Sequence, residues 1–127
     1  MSQFTTATVK TYKAGAVAIP QGTMVKFDSD GTVIAATAGT DVIIGVAEQA
    51  TAIGGQCPVI LRSGQGTCKV VASTTVSVGA KLTATTSGQA VTTTTDKDEI
   101  VGVALEAATA QGDLIEVMIS NYTLSHA

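Results

Sequence analysis

Ile43–Gly55 reads IIGVAEQATAIGG, and Ile100–Asp113 reads IVGVALEAATAQGD. A chain of 127 residues that writes one phrase twice is read first as a duplication, because a repeat decides architecture before local propensity does. Outward from the phrase, Gly22 meets Gly79, Val25 meets Leu82, Gly31 meets Gly88, Ile34 meets Val91 and Asp41 meets Asp98. All share the offset of 57 that joins Gly45-Val46-Ala47 to Gly102-Val103-Ala104. Leu105 reads as one extra residue in the second copy, after which the offset is 58. Glu48 then meets Glu106, Thr51 meets Thr109, Gly54 meets Gly112 and Val59 meets Val117. Module one therefore spans Ile19–Leu61, and module two spans Val76–Ile119.

Each module reads as short strands with punctuation. Thr23–Phe27 alternates, then DSDG at Asp28–Gly31 turns the chain into Thr32–Ala35; Asp and Gly accept the positive φ of a tight hairpin. The second copy writes this turn as TTSG and keeps the Gly. A strand through GVA follows, then a turn at Ala52–Gly55 or Ala110–Asp113, then a closing strand. In Leu114–Ile119, Ile115, Val117 and Ile119 share one face, the period of two of a half-buried strand. ALEAATAQ could instead propagate a helix, but two turns between Gly102 and Gly112 are marginal alone. The expected fold is all-β: a sandwich or barrel of about ten short antiparallel strands, built from two tandem similar modules. One domain would cover 1–127. It would hold an arm or first strand at 1–18, the modules at 19–61 and 76–119, a connecting hairpin at 62–75, and a polar tail at 120–127.

Composition narrows the function. Seven basic against ten acidic residues give a net charge of −3, and the bases are scattered singly, which disfavours nucleic acid. No apolar run of about 18 residues exists, so no membrane helix is expected. The start, MSQFTTATVK, lacks a basic stretch followed by an apolar one, which points to synthesis in a cytoplasm. Trp is absent and only Phe4, Phe27, Tyr12 and Tyr122 supply rings besides His126.

Catalytic chemistry finds little footing. His126 is the only histidine and sits next to the C-terminus, so the usual triads cannot assemble. A hairpin centred between Gly64 and Gln65 would set Leu61 opposite Cys68 and Cys57 opposite Ala72. The sulfurs would then be too far apart for a disulfide, which favours buried free thiols. Two thiolates without further ligands leave a zinc tetrahedron open. DSDGT lacks the later ligands and bidentate Glu of a calcium loop. Asp96, Asp98 and Glu99 form an acidic cluster around Lys97, read as a solvated loop or a surface contact. No enzyme, cofactor or metal emerges.

The run VSVGAKLTATTSGQAV with IVGVALEAATAQGDLIEVMI resembles the capsid cement, or head-decoration, proteins of tailed double-stranded-DNA bacteriophages. The resemblance implies a small β-rich, non-catalytic protein on the outer surface of the phage head. It implies a homotrimer at local threefold positions that clamps neighbouring major capsid subunits and so stabilises the mature shell. The N-terminal segment, with Ser2, Gln3, Phe4, Thr5, Thr6 and Val9, is the candidate capsid-binding element, since extended chain can add to an exposed sheet edge. An ordinary first strand of the domain's own sheet is the competing reading. The alternative function is an adhesin-like or carbohydrate-binding β-sandwich, which would call for exposed rings that this chain scarcely has.

Overall fold

A computed structural model describes residues 8–29, 31–63 and 65–124. Its regular elements are ten strands: β1 (Val9–Ala14), β2 (Met24–Ser29), β3 (Thr32–Ala35), β4 (Ile43–Ala47), β5 (Gln56–Leu61), β6 (Thr67–Val71), β7 (Lys81–Ala84), β8 (Ala90–Thr92), β9 (Glu99–Ala104) and β10 (Leu114–Thr123). The all-β expectation holds, and ALEAATAQ is not a helix: it runs as bends and turns around an isolated bridge from Ala108 to Val76.

The duplication is topological as well as textual. Strands β1–β5 close into a barrel in the order β1-β3-β2-β4-β5, and β6–β10 form a sheet in the order β6-β10-β9-β7-β8. Replacing each strand of the first half by its counterpart reproduces the order of the second. Each half also contains one parallel pairing, where antiparallel pairs alone were expected. β1 meets β3 through Lys13–Thr32 and Ala14–Val33, while the second half retains only the single parallel bridge Ala72–Ala90.

Backbone hydrogen bonds fix the register between the copies. Gly22 N–H donates to Ala47 O as Gly79 N–H donates to Ala104 O; Glu48 N–H donates to Pro58 O as Leu105 N–H donates to Glu116 O. The bridge Ile19–Thr51 repeats as Val76–Ala108. Glu48 is therefore the counterpart of Leu105, not of Glu106, and the extra residue enters later, at Thr109. It is absorbed in the turn, where the Asp113 carboxylate accepts from the Thr109 amide (2.9 Å) and hydroxyl and from the Ala110 amide. Module one has Gly55 where module two has Asp113, so the additional residue and the side chain that fastens it occur together.

Two further boundaries shift. The repeated unit begins one strand earlier than the sequence suggested: β1 and β6 are counterparts, each pairing with the last strand of its half. Segment 62–75 is consequently not a hairpin. β5 has both edges occupied, by β4 and β1, so the chain leaves it for the other sheet, and β6 pairs with β10. The expected pairings of Leu61 with Cys68 and Cys57 with Ala72 do not form. Residues 120–123 of the expected tail belong to β10, which passes a bulge after Ile119 and re-pairs Tyr122 with Ile100 and Thr123 with Glu99.

Packing follows the same logic. Ala14, Ile19, Val25, Val33, Ala47, Cys57 and Val59 fill the barrel, and their counterparts Ala72, Val76, Leu82, Ala90, Ala104, Ile115 and Val117 fill the second half. Fully burying a Val, Leu or Ile side chain contributes roughly 1.5–3 kcal/mol, so these interiors are the main source of stability. The repeated GVA phrase has a steric cause. A Cβ on Gly45 would collide with the Ile60 carbonyl oxygen, and one on Gly102 would lie 2.8 Å from that of Met118, so neighbouring strands close up at both positions.

The second core is larger because it includes the joint between the modules. Met24, Ala36, Ile43, Val46 and Ile60 of module one belong to the same cluster as the module-two interior. Backbone bonds seal the joint: Val71 N–H donates to Gly22 O (3.0 Å) and Met24 N–H to Gly88 O (2.8 Å). The segment Gly22–Met24 thus lies between β6 and the β7–β8 turn, where the parallel seam of the second half would otherwise close.

Candidate interaction surface

Of the expected capsid-binding residues, Ser2, Gln3, Phe4, Thr5 and Thr6 lie outside the described residues. Val9 opens β1, paired with Ile60 of β5, and is 46% exposed. From Val9 onward the segment is a strand of the protein's own barrel. Val9 lines a groove of about 280 Å³ between the modules. Gln21, Glu48 and Ile60 form the module-one wall with it, while Thr67 and Lys69 belong to the opposite side.

The charged residues mostly fasten loops. Glu99 of the acidic cluster accepts from Arg62 Nη1 at 3.1 Å and from the Thr123 hydroxyl at 2.7 Å. Asp98 accepts from the Thr93 hydroxyl at 2.6 Å. Asp98 and Glu99 are therefore tied into the second half, while Asp96 and Lys97 form an exposed turn beside them. Partial burial pushes the Asp41 carboxyl up, but the Thr37 amide, Lys26 and the Thr37 hydroxyl outweigh it and hold the acid below its usual range. Asp113 is lowered by the Thr109 and Ala110 amides, and Glu106 by Lys69 and the Glu116 amide. Asp41 and Asp113 close the two TAxxD stretches, Thr37–Asp41 and Thr109–Asp113, with the same set of bonds.

Arg62, the chain's single arginine, was not singled out in the sequence, and it is the most connected polar side chain of the joint. Only 7% exposed, it donates from Nη1 to Ile43 O (2.9 Å) and Glu99, from Nη2 to Ile100 O (3.2 Å) and Tyr122 O (3.4 Å), and from Nε to Ser120 O (3.2 Å). One planar fork therefore ties β4 to β9 and to the end of β10. A lone Arg just after a strand was the available signal, and its neighbours could not be known without the topology.

Cys57 and Cys68 are both free and buried, and burial pushes the Cys68 thiol up to about 12. His126 lies outside the described residues, and among those described no group of three or more His, Cys, Asp or Glu could hold a metal. The expected hairpin at Asp28–Thr32 joins β2 to β3, with Gly31 at φ 75°. No helix of the described residues is long and apolar enough to cross a membrane.

Comparison with known proteins adds the family. A family model for phage cement proteins matches residues 6–119. The head fiber gp8.5 N base of bacteriophage phi29 is similar in structure, with a TM-score of 0.69 and 23% sequence identity, over 94% of this chain and 98% of that one. At that identity the likeness speaks for the fold. A search of curated proteins finds no match.

Proposed function

The chain belongs to the phage cement protein family, and from that premise we propose that it is a structural protein of the virion that binds the outer surface of the capsid. There it clamps neighbouring major capsid subunits and stabilises the mature head, acting as a homotrimer at local threefold positions after synthesis in the host cytoplasm. The observation that carries the reading is the family match across residues 6–119, nearly the whole duplicated unit. The fold suits such a role. Two five-stranded modules share one continuous core at their joint, so load on one is passed to the other through packed side chains.

The mechanism is multipoint attachment. One protomer patch on a shell binds weakly, but joining three makes the later contacts intramolecular and raises avidity by about 10²–10⁴. A ligand that binds only the mature lattice stabilises that lattice by mass action. The capsid contact is assigned to the N-terminal segment: Ser2, Gln3, Phe4, Thr5 and Thr6, continuing to Val9 at the rim of the inter-module groove.

The test is uptake of purified protein by mature, decoration-free heads of the matching phage, followed by a heat challenge. Saturable uptake with a raised rupture temperature is expected; heads that take up none would overturn the proposal. Deleting residues 2–7 leaves β1 intact and should weaken uptake at an unchanged melting temperature. Full uptake by that deletion would remove the N-terminal assignment.

A further inference from the structure

Strand pairing sets Met24, Val46, Ile60 and Val9 side by side in one row across β2, β4, β5 and β1. The counterpart row in module two is Lys81, Val103, Met118 and Thr67, across β7, β9, β10 and β6. In module one the row is covered by the joint: Met24, Val46 and Ile60 are 0%, 2% and 9% exposed. In module two the same row faces outward, with Met118 at 47%. Two neighbours extend it. Val78 and Leu105, the counterparts of Gln21 and Glu48, are 65% and 44% exposed. Module one thus carries polar residues at the margin of its covered row, whereas module two carries aliphatic ones around an uncovered row.

An aliphatic cluster of this kind on a soluble surface marks a contact site. We infer that the face formed by Val78, Val103, Leu105 and Met118 packs against a second copy of this chain. Two observations choose that occupant. The same face one module earlier is buried against a module of this very fold, so the row is of a kind that this fold already packs against itself. The charges around the face are also balanced: Lys69 and Lys81 against Glu106 and Glu116, with Lys69 and Glu106 paired at 2.9 Å. Such a ring lets identical copies meet without stacking like charges, and closed self-association is the common outcome for identical chains. The face continues into the inter-module groove, since Thr67, which lines the groove, is the cross-strand partner of Met118. This assignment rests on the multipoint reading above and gives it the surface that joins the protomers.

The test is the mass of the full chain in solution, by light scattering and sedimentation, against two variants. Val78→Gln with Leu105→Glu gives module two the margin that module one already carries, and Met118→Lys places a charge in the row. A wild-type mass that is a multiple of 12.7 kDa, with at least tenfold weaker association in both variants at unchanged melting temperature, is the expected result. Val42→Ser, at a 79% exposed site in module one, should leave the mass unaltered. A wild-type monomer at about 1 mM, the weak end of specific association, would overturn the inference, and so would an oligomer that both variants preserve. Monomeric protein that heads still take up would sink this inference alone. An oligomer that matching heads refuse would sink the capsid reading and leave this one standing.

Discussion

Replacing Arg62 by Ala should be among the most damaging single changes in the chain. The guanidinium is almost fully buried, and its removal takes a buried donor from the carbonyls of Ile43 and Ile100 and the cation from the Glu99 carboxylate. Each buried acceptor left without a partner costs about 1–3 kcal/mol, and breaking a buried ion pair by removing one member costs about 3–5 kcal/mol. Glu99 keeps 23% side-chain exposure and recovers some hydration, which brings the expected loss to about 3–4 kcal/mol. For a domain of this size that is roughly a 10–15 °C drop in melting temperature. Arg62→Lys should recover only part of it, because an ammonium cannot reproduce five bonds from a planar fork. Adding Glu99→Gln to Arg62→Ala should cost less than the sum of the single losses, since the stranded charge is then gone. The assay is urea unfolding followed by circular dichroism, with the slope checked for constancy. A loss below about 1 kcal/mol for Arg62→Ala would refute the view that this side chain fastens the joint.

Three further outcomes are expected. Gly22 and Gly79 have matching φ values of 79° and 88°, but a Cβ on Gly22 would sit 2.8 Å from Leu114 and one on Gly79 would touch nothing. Ala at either costs about 1–2 kcal/mol for the left-handed conformation, so Gly22→Ala should lower the melting temperature well beyond Gly79→Ala; equal losses would refute the close approach at the joint. The Cys68 thiol, pushed up to about 12 by burial, should resist a thiol reagent in native protein at pH 8 and react on unfolding; rapid native labelling of Cys68 would contradict its burial. Asp113 and Glu106 are lowered from 3.8 and 4.5, so their contribution is complete above the unfolded values and disappears as pH falls through the folded ones. Unfolding free energy should therefore decline below about pH 4.5, less steeply in Asp113→Asn, and an unchanged slope in that variant would refute the Asp113 assignment.

How much of this was legible depended on whether a signal was local. Strand period, Gly-bearing turns and the GVA phrase are local, and they gave the all-β class and the duplication. The position of the extra residue was not, because the identity of Glu48 with Glu106 attracts the alignment while the ladder counts Glu48 against Leu105. That one-residue slip matters, since it conceals that an aliphatic side chain stands at the margin of the exposed row. β1 and β6 escaped the repeat because VKTYKA and TCKVVA share little beyond Ala14 and Ala72. The hairpin expected after β5 failed because nothing local tells the chain that β1 has already taken the free edge of β5. Arg62 gave no sign of its role, for its acceptors are mostly main-chain oxygens, which carry no sequence signature.

The two halves share a topology yet close differently, and the reason lies at the parallel seam. In module one, Tyr12 of β1 and Phe27 of β2 meet edge to face with ring centroids 5.2 Å apart, a favourable geometry for an aromatic pair. Their counterparts are Val70 and Ala84, which are small, buried and part of the core shared across the joint. Bulky rings furnish module one with its own packing beside the β1–β3 seam, and the barrel closes. Smaller residues leave the second half needing atoms from outside, and Met24, Val46 and Ile60 join its core while Gly22–Met24 bonds to both sides of the seam. The joint is therefore directional: module one supplies a row and module two accepts it. Because module one packs its own seam, the arrangement does not extend in the same way to a third module. What remains exposed is module two's copy of the row, which is why an association through that face must find a different, closed geometry from the one used inside the chain.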